Sequence, residues 1–116
     1  MKPNGIKIKK IRKTKINNYH IVKLEIDLKH INYGLDENRE YRKRKRSNFT
    51  VNDVADFFSS LNGLELEFDS DDLYDYFVVD KNYFSDNQKY RIVFCIERDK
   101  PTASGIITLF NIKKED

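Results

Sequence analysis

The chain of 116 residues contains a single cysteine, Cys95, and no tryptophan. One cysteine excludes an internal disulfide and a cysteine-based zinc cage, and two histidines are too few for a histidine-rich site, so we expect no bound metal. No apolar run approaches the roughly 20 residues needed to span a bilayer. The first ten residues lack the apolar core of a signal peptide. The sequence thus predicts a soluble, cytoplasmic protein with no membrane partner.

The short motifs of common enzyme classes are also missing. The sequence contains no GxGxxG, GxxxxGK[ST], HExxH, GxSxG or CxxC, which are typical of nucleotide-cofactor enzymes, zinc peptidases, serine hydrolases and thiol redox proteins. We accordingly expect no cofactor. The acidic stretch DSDD at 69–72 lacks the glycine and distal glutamate of a calcium loop, which favours an exposed turn.

Charge, in contrast, is abundant and unevenly distributed. Residues 1–50 carry 15 Lys or Arg against 5 Asp or Glu, a balance of +10, and residues 51–116 carry 7 against 14, a balance of −7. A fold that separates these halves would have a basic pole that attracts polyanions and an acidic pole that repels them. If the halves interleave in space, the two fields largely cancel.

Hydrophobic periodicity predicts the elements of the first half. Alternation favours an edge strand over residues 5–11 and a half-buried strand over residues 20–30. Residues 36–45 are expected to form a solvated helix or an ordered loop. Thr50 and Asp53 have the form of a capping box, and an apolar stripe at helical spacing follows until Asn62 and Gly63. The buried face of the second strand is predicted to carry His20, Val22, Leu24, Ile26, Leu28 and His30.

Four further strands are predicted at 64–68, 74–79, 89–97 and 106–112, and the short connections between them favour antiparallel neighbours. We therefore predict one α+β domain, residues 1–116. Its antiparallel sheet would be a four-stranded meander plus an N-terminal strand or hairpin, packed by one or two helices.

The stretch YRKRKRSNF at 41–49 places five consecutive cations between two aromatic residues. Such a run repels itself and does not belong in a core, whereas each cation can neutralise a phosphate and arginine can do so with two hydrogen bonds. The aromatic rings could stack on unpaired bases. A solvated loop without a ligand and a site for an acidic partner protein remain alternatives. The predicted nucleic-acid-binding residues are Tyr41, Arg42, Lys43, Arg44, Lys45 and Arg46.

RNA can be cleaved without a metal by an acid–base pair and cations that stabilise the phosphate. His30, which precedes the basic run, is the predicted general acid or base, and Arg91 is predicted to stabilise the pentacovalent phosphate. His20 lies at the other end of the predicted strand, about 33 Å away along an extended chain, and cannot pair with His30. The alternative for each residue is a structural role.

The order of elements and two segments resemble small ribonuclease toxins of the RelE and BrnT type, in the barnase–EndoU–colicin–RelE fold group. YRKRKRSNFTVNDVADFF is similar to their basic run followed by a capped apolar helix, and YRIVFCIERDKPTASGIITLFNI to their closing hairpin. This resemblance implies a metal-independent endoribonuclease acting on RNA and a cognate antitoxin as partner. The alternatives are a non-catalytic nucleic-acid-binding protein of a phage or mobile element, and a protein-interaction or inhibitor module.

Overall fold

A computed structural model describes residues 5–115, so the predicted domain, 1–116, extends beyond them by residues 1–4 and 116. Residues 5–115 form an α+β fold with two α-helices and one six-stranded mixed sheet. A 3-10 turn, Ile112–Glu115, follows the last strand. In chain order the elements are β1 (Ile6–Ile16), β2 (Tyr19–Asp27), α1 (Leu28–Tyr33), α2 (Val51–Ser59), β3 (Asp69–Ser70), β4 (Tyr74–Lys81), β5 (Tyr90–Glu97) and β6 (Ala103–Asn111).

The strands lie in the order β1-β2-β6-β5-β4-β3. Every neighbouring pair is antiparallel except β2 and β6, which run parallel. The predicted sheet, a four-stranded antiparallel meander plus an N-terminal strand or hairpin, is therefore wrong in detail. The N-terminal element is a hairpin that joins the other strands through a parallel pair, and β3 has only two residues.

The predicted strand at 64–68 does not form. Only Leu64 makes an isolated parallel bridge, to Ile16. Backbone groups of this segment instead form hydrogen bonds with the turn between β1 and β2. The Asn17 side chain accepts from the Leu66 N–H at 2.6 Å and donates to the Leu66 carbonyl at 2.9 Å. Residues 64–68 are thus fastened to the end of the hairpin rather than added to the sheet.

The second predicted strand is shorter than expected, and its buried face differs. β2 ends at Asp27, whose carboxylate accepts a hydrogen bond from the His30 N–H at 3.2 Å and so caps α1. His30 therefore lies in a helix and not at a strand end. Three residues of β1 lie opposite the single residue Val22, and the irregularity turns Val22 outward and Ile21 inward.

The core lies between α2 and one face of the sheet. The predicted capping box is present, because the Thr50 side chain accepts from the Asp53 N–H and the Asp53 carboxylate accepts from the Thr50 N–H. Phe58 of α2 packs edge-on against Phe94 of β5, with ring centroids 5.0 Å apart. Such contacts bury apolar surface at about 25 cal/mol per Å². The fully buried side chains include Ile21, Leu24, Ile26, Val54, Phe57, Phe58, Phe77, Ile92, Phe94 and Leu109.

A buried carboxylate ties the hairpin to the far strands. Asp75 accepts hydrogen bonds from the Tyr19 hydroxyl at 2.5 Å, the Ser70 hydroxyl at 2.6 Å and Arg98 Nη1 at 2.7 Å. Burial raises the pKa of Asp75, but these three hydrogen bonds outweigh burial and hold the pKa below its usual value. Burial and the hydrogen bond to Asp75 raise the pKa of Tyr19 to about 12.

This network predicts a specific pH dependence of stability. A carboxyl whose pKa is lowered by folding stabilises the protein above its unfolded pKa of about 3.9, and that stability is lost as pH falls through the folded pKa. We expect Asp75→Asn to lower the free energy of unfolding by about 2 kcal/mol at pH 7 and by less below pH 3, as measured by urea denaturation. The exposed Asp72→Asn is the control. If Asp75→Asn lowers the free energy of unfolding equally at pH 7 and pH 3, the lowered pKa of Asp75 does not stabilise the fold.

Candidate nucleic-acid interface

The order of the strands separates the charges along the sheet. β1, at one edge, contains six Lys or Arg and no acid, whereas residues 69–75, which include β3 at the other edge, contain four Asp and no cation. The six cations of β1 are Lys7, Lys9, Lys10, Arg12, Lys13 and Lys15. These two edges of the sheet therefore carry opposite charge.

The basic loop, residues 41–46, follows α1 and is held at its beginning by a compact turn. Leu35 and Tyr41 form an antiparallel bridge, and the Arg42 N–H donates to the Gly34 carbonyl at 3.2 Å. Within the turn, the Asp36 carboxylate accepts hydrogen bonds from the N–H groups of Asn38 and Glu40. The predicted helix over 36–45 is absent, and the ordered loop, the alternative, is present.

The end of the basic loop is fixed by Asn32, a buried residue of α1. Its carbonyl accepts from the N–H groups of Arg46 and Ser47 at 2.8 and 3.2 Å. Its side chain accepts from the Phe49 N–H at 2.8 Å and donates to the Phe49 carbonyl at 3.0 Å. The loop is therefore anchored to Gly34 and Leu35 at its start and to α1 at its end, so less backbone entropy remains to be lost when an anion binds.

The five cations fall into two groups. Residues 42–45 are exposed, whereas Arg46 is only partly so. Arg46 donates from Nε to the Ile31 carbonyl at 3.2 Å and from Nη2 to Thr108 Oγ1 at 2.8 Å. Its Cζ also lies 5.2 Å from the centroid of the Phe110 ring. Arg46 thus fastens the basic loop to β6, while the other four cations face solvent.

Gly34 makes this position of Arg46 possible. A Cβ at Gly34 would lie 2.7 Å from Arg46 Cζ, and the φ angle of +71° is one that other residues rarely adopt.

Tyr41 lies against α1 beside two of its side chains. The Lys29 ammonium lies 4.7 Å from the centroid of the Tyr41 ring, and the His30 ring packs edge-on at 6.3 Å. The predicted base-stacking residue and the predicted acid–base histidine are therefore neighbours, although no sequence pattern placed them together.

A shallow groove of about 370 Å³ runs between α1 and the start of α2. Lys29 and Lys45 line it, and Thr50 and Val51 bring the first turn of α2 to its other side. Amide groups at the start of a helix add positive potential. The groove thus combines two ammonium groups with a helix N-terminus immediately beside the basic loop.

Arg91 occupies a different environment. It projects from β5 and forms a bidentate ion pair with Asp80 of β4, with Nε–Oδ1 at 2.7 Å and Nη2–Oδ2 at 3.0 Å. Its partner residue on β6 is Phe110, over which Arg46 lies. Hydrogen bonding by Arg91 lowers the pKa of Asp80. A phosphate would have to compete with this carboxylate for Arg91, and no contact in the described chain joins Arg91 to His30.

Two residues of the interface escaped the sequence reasoning. These residues are Asn32 and Lys29. Neither role can be seen in the neighbouring sequence, because each of the two residues contacts a residue more than ten positions away.

None of the helices within residues 5–115 is both long and apolar enough to cross a membrane. The same residues contain no group of three or more His, Cys, Asp or Glu side chains that could hold a metal ion. Comparisons with protein-family models, curated proteins and solved structures give no match. The resemblance to RelE-like and BrnT-like toxins therefore stays an interpretation of the sequence.

Proposed function

We propose that the protein binds single-stranded RNA through the basic loop and the adjoining groove. One observation carries the proposal: the backbone of the loop is tied to Gly34, the C-cap of α1, at its start and to Asn32 of α1 at its end, while residues 42–45 remain exposed. A run of cations on a fixed backbone presents several phosphate-neutralising groups at regular spacing, and it does so without the ordering penalty of a flexible tail.

The aromatic and acidic features favour an unpaired RNA strand as the ligand. Tyr41, with a relative exposure of 40%, lies beside the cations and offers a ring on which an unpaired base can stack. The acidic residues of 69–75 lie at the edge of the sheet opposite β1 and repel phosphate there. A polyanion would consequently be directed away from that edge.

The test is binding to a single-stranded RNA oligonucleotide, measured by fluorescence anisotropy between 50 and 300 mM salt. We expect binding that weakens steeply with salt, with a slope in log–log form of about −0.7 per phosphate contact. Absence of binding at 50 mM salt would reject the proposal. Binding of equal strength and salt dependence to an acidic polypeptide would favour a protein-interaction module instead.

RNA cleavage is a second candidate function, and the position of His30 favours it. The imidazole lies against Tyr41, at the entrance of the basic loop, and next to Lys29. An imidazole near a bound phosphodiester can remove the proton of the 2′-hydroxyl or protonate the leaving 5′ oxygen. In this proposal His30 is the catalytic group, and Arg91 assists only where the substrate displaces Asp80.

We expect His30→Ala to abolish cleavage of a labelled RNA oligonucleotide while leaving its binding within about threefold of the wild type, because one acid–base group contributes about 10²–10⁴ in rate. His20→Ala, an exposed substitution on β2, is the control and should leave both unchanged. If the RNA stays intact after long incubation with the wild-type protein, the protein binds RNA without cleaving it. Cleavage by the His30 variant would exclude His30 as the catalytic group.

A toxin of a toxin–antitoxin module is the cellular role that the sequence resemblance implies for such a nuclease. In that case a cognate antitoxin would cover the basic loop with an acidic segment or bind the acidic pole with a basic one. Expression in cells distinguishes these roles: a nuclease toxin should arrest growth, and the His30→Ala variant should not.

A further inference from the structure

An aromatic cavity of about 350 Å³ opens immediately after the basic loop. Its apolar wall is formed by Phe49, Phe84 and Tyr90, whose ring centroids lie 4.9–5.8 Å from one another. Phe49 also lines the groove that the proposed RNA strand would follow. The cavity is therefore the next recess that a strand would reach after passing residues 42–45.

Contacts within the protein fix the positions of Phe49 and Phe84 before any ligand binds. The two Asn32 hydrogen bonds fix the backbone of Phe49. Phe84 also packs against Phe57 of α2, with ring centroids 5.6 Å apart. Both rings remain partly exposed. The aromatic wall is thus preformed and accessible.

The rim of the cavity is polar and carries both signs of charge. Arg46 of the basic loop, Asp53 of α2 and Asp86, in the connection between β4 and β5, all line the cavity. Asp86 is oriented by hydrogen bonds that its carboxylate accepts from the Gln88 N–H at 3.0 Å and from the Tyr90 hydroxyl at 2.5 Å. The exposed side chains of Asn48 and Ser85 add further donors and acceptors to the rim.

We propose that this cavity binds one unpaired nucleobase of an RNA strand whose phosphates lie on the basic loop. The base stacks on Phe49 and Phe84, and its polar edge faces the rim at Asn48, Ser85 and Asp86. This inference rests on the proposed RNA binding and adds to it a subsite for the base itself.

The composition of the cavity favours a nucleobase over other small ligands. A purely apolar ligand would make no use of the exposed Asn48 and Ser85 side chains at the rim, and a free phosphate would gain nothing from three aromatic rings. A nucleobase has flat π faces for the rings and an edge of N–H and carbonyl groups for the rim, which is the usual basis for holding unpaired bases. The volume lies within the range of about 300–1,000 Å³ common for small-molecule sites.

The first experiment uses the full chain and single nucleotides. Nucleoside 5′-monophosphates and ribose 5-phosphate, which lacks the base, are titrated while the aromatic ¹³C–¹H resonances of Phe84 and Tyr90 are followed by NMR. We expect the monophosphates to bind at least about tenfold more tightly than ribose 5-phosphate, since stacking of one base on an aromatic side chain contributes about that factor. We also expect them to shift the two rings. Equal binding, or unshifted rings, would overturn the subsite.

The second experiment uses matched variants. Phe84→Leu removes a ring of the cavity, whereas Tyr83→Leu removes the adjacent ring, which packs on Phe57 and Phe84 and does not line the cavity. After thermal unfolding shows that both variants fold, we expect only Phe84→Leu to weaken RNA binding, by about tenfold. Equal affinities for the two variants would overturn the subsite and leave the proposed RNA binding standing. If the wild type binds no RNA, the proposed function fails, and the nucleotide titration decides the cavity alone.

Discussion

Replacing Lys43, Arg44 and Lys45 together by glutamine is expected to weaken single-stranded RNA binding on the order of 100-fold at 0.1 M salt. Each lost phosphate contact reduces the magnitude of the logarithmic salt slope by about 0.7, so three contacts reduce it by about 2. The side chains are exposed, and the anchors of the loop lie outside this segment. The fold should therefore be retained, and anisotropy titrations at several salt concentrations measure the effect directly.

The matched control removes the same charge from the other basic element. Lys10→Gln, Lys13→Gln and Lys15→Gln, combined in one protein, take three exposed cations from β1. If the basic loop is the binding site, this variant should lose much less affinity than the loop variant. Equal losses would mean that RNA responds only to net charge, and the proposed site would then be wrong.

Asn32→Ala is expected to have a large effect without removing any charge. Its side chain makes two hydrogen bonds with the Phe49 backbone inside a buried region. Alanine leaves that N–H and that carbonyl without these partners, which lowers the free energy of unfolding by about 2–3 kcal/mol. The Phe49 backbone, which follows the basic loop, also loses this attachment, whereas the backbone carbonyl at position 32 still accepts from the Arg46 and Ser47 N–H groups. RNA affinity should therefore fall although every cation remains. Urea denaturation and anisotropy measure the two consequences.

Asn38→Ala serves as the comparison, because Asn38 lies exposed in the turn before the basic loop. Its free energy of unfolding should stay within about 0.5 kcal/mol of the wild type, as for most surface substitutions. Two results would contradict the anchoring role of Asn32. One is a loss below 0.5 kcal/mol in Asn32→Ala, and the other is unchanged RNA affinity in a folded Asn32→Ala protein.

The parts of the structure that the sequence predicted well are those with local causes. The helix that begins after Thr50 has its cap and its apolar stripe in one short stretch of sequence, and each of these signals acts within one or two helical turns. Its end is less well predicted, because the helix ends at Ser59 with Ser60 as its C-cap, before Asn62 and Gly63. The strands β4 and β5 likewise follow from β-forming residues and short turns. In these segments local preference and tertiary packing agree.

The parts that it predicted poorly depend on distant partners. The LELEF pattern at 64–68 is typical of a strand, but the backbone N–H and carbonyl of Leu66 form hydrogen bonds with the Asn17 side chain instead of with a neighbouring strand. Alternation along β2 predicts Val22 inside, but an irregularity in the opposite strand turns it outward. Neither effect leaves a trace in the affected segment itself, because pairing partners and register are tertiary properties.

The candidate site shows the same division. The cations of the basic loop are evident from composition, whereas their fixed presentation depends on Asn32 and Gly34, more than seven positions upstream. Arg46 is indistinguishable in sequence from its four neighbours, yet it turns toward Thr108 of β6. Sequence therefore predicts where the charge is, and only the structure divides it into side chains that face solvent and one that anchors the loop.

The position of β6 between β2 and β5 has a consequence for how the chain reaches its native state. The hairpin β1–β2 and the pair β4–β5 can each assemble from neighbouring residues, but no backbone pairing between strands joins them until β6, the last strand in chain order, inserts between them. During synthesis one edge of β2 in the lysine-rich hairpin stays unpaired until β6, about 80 residues downstream, has been made. Folding should therefore be slow for a chain of this length, since such long-range parallel pairing closes a large loop before it yields contacts.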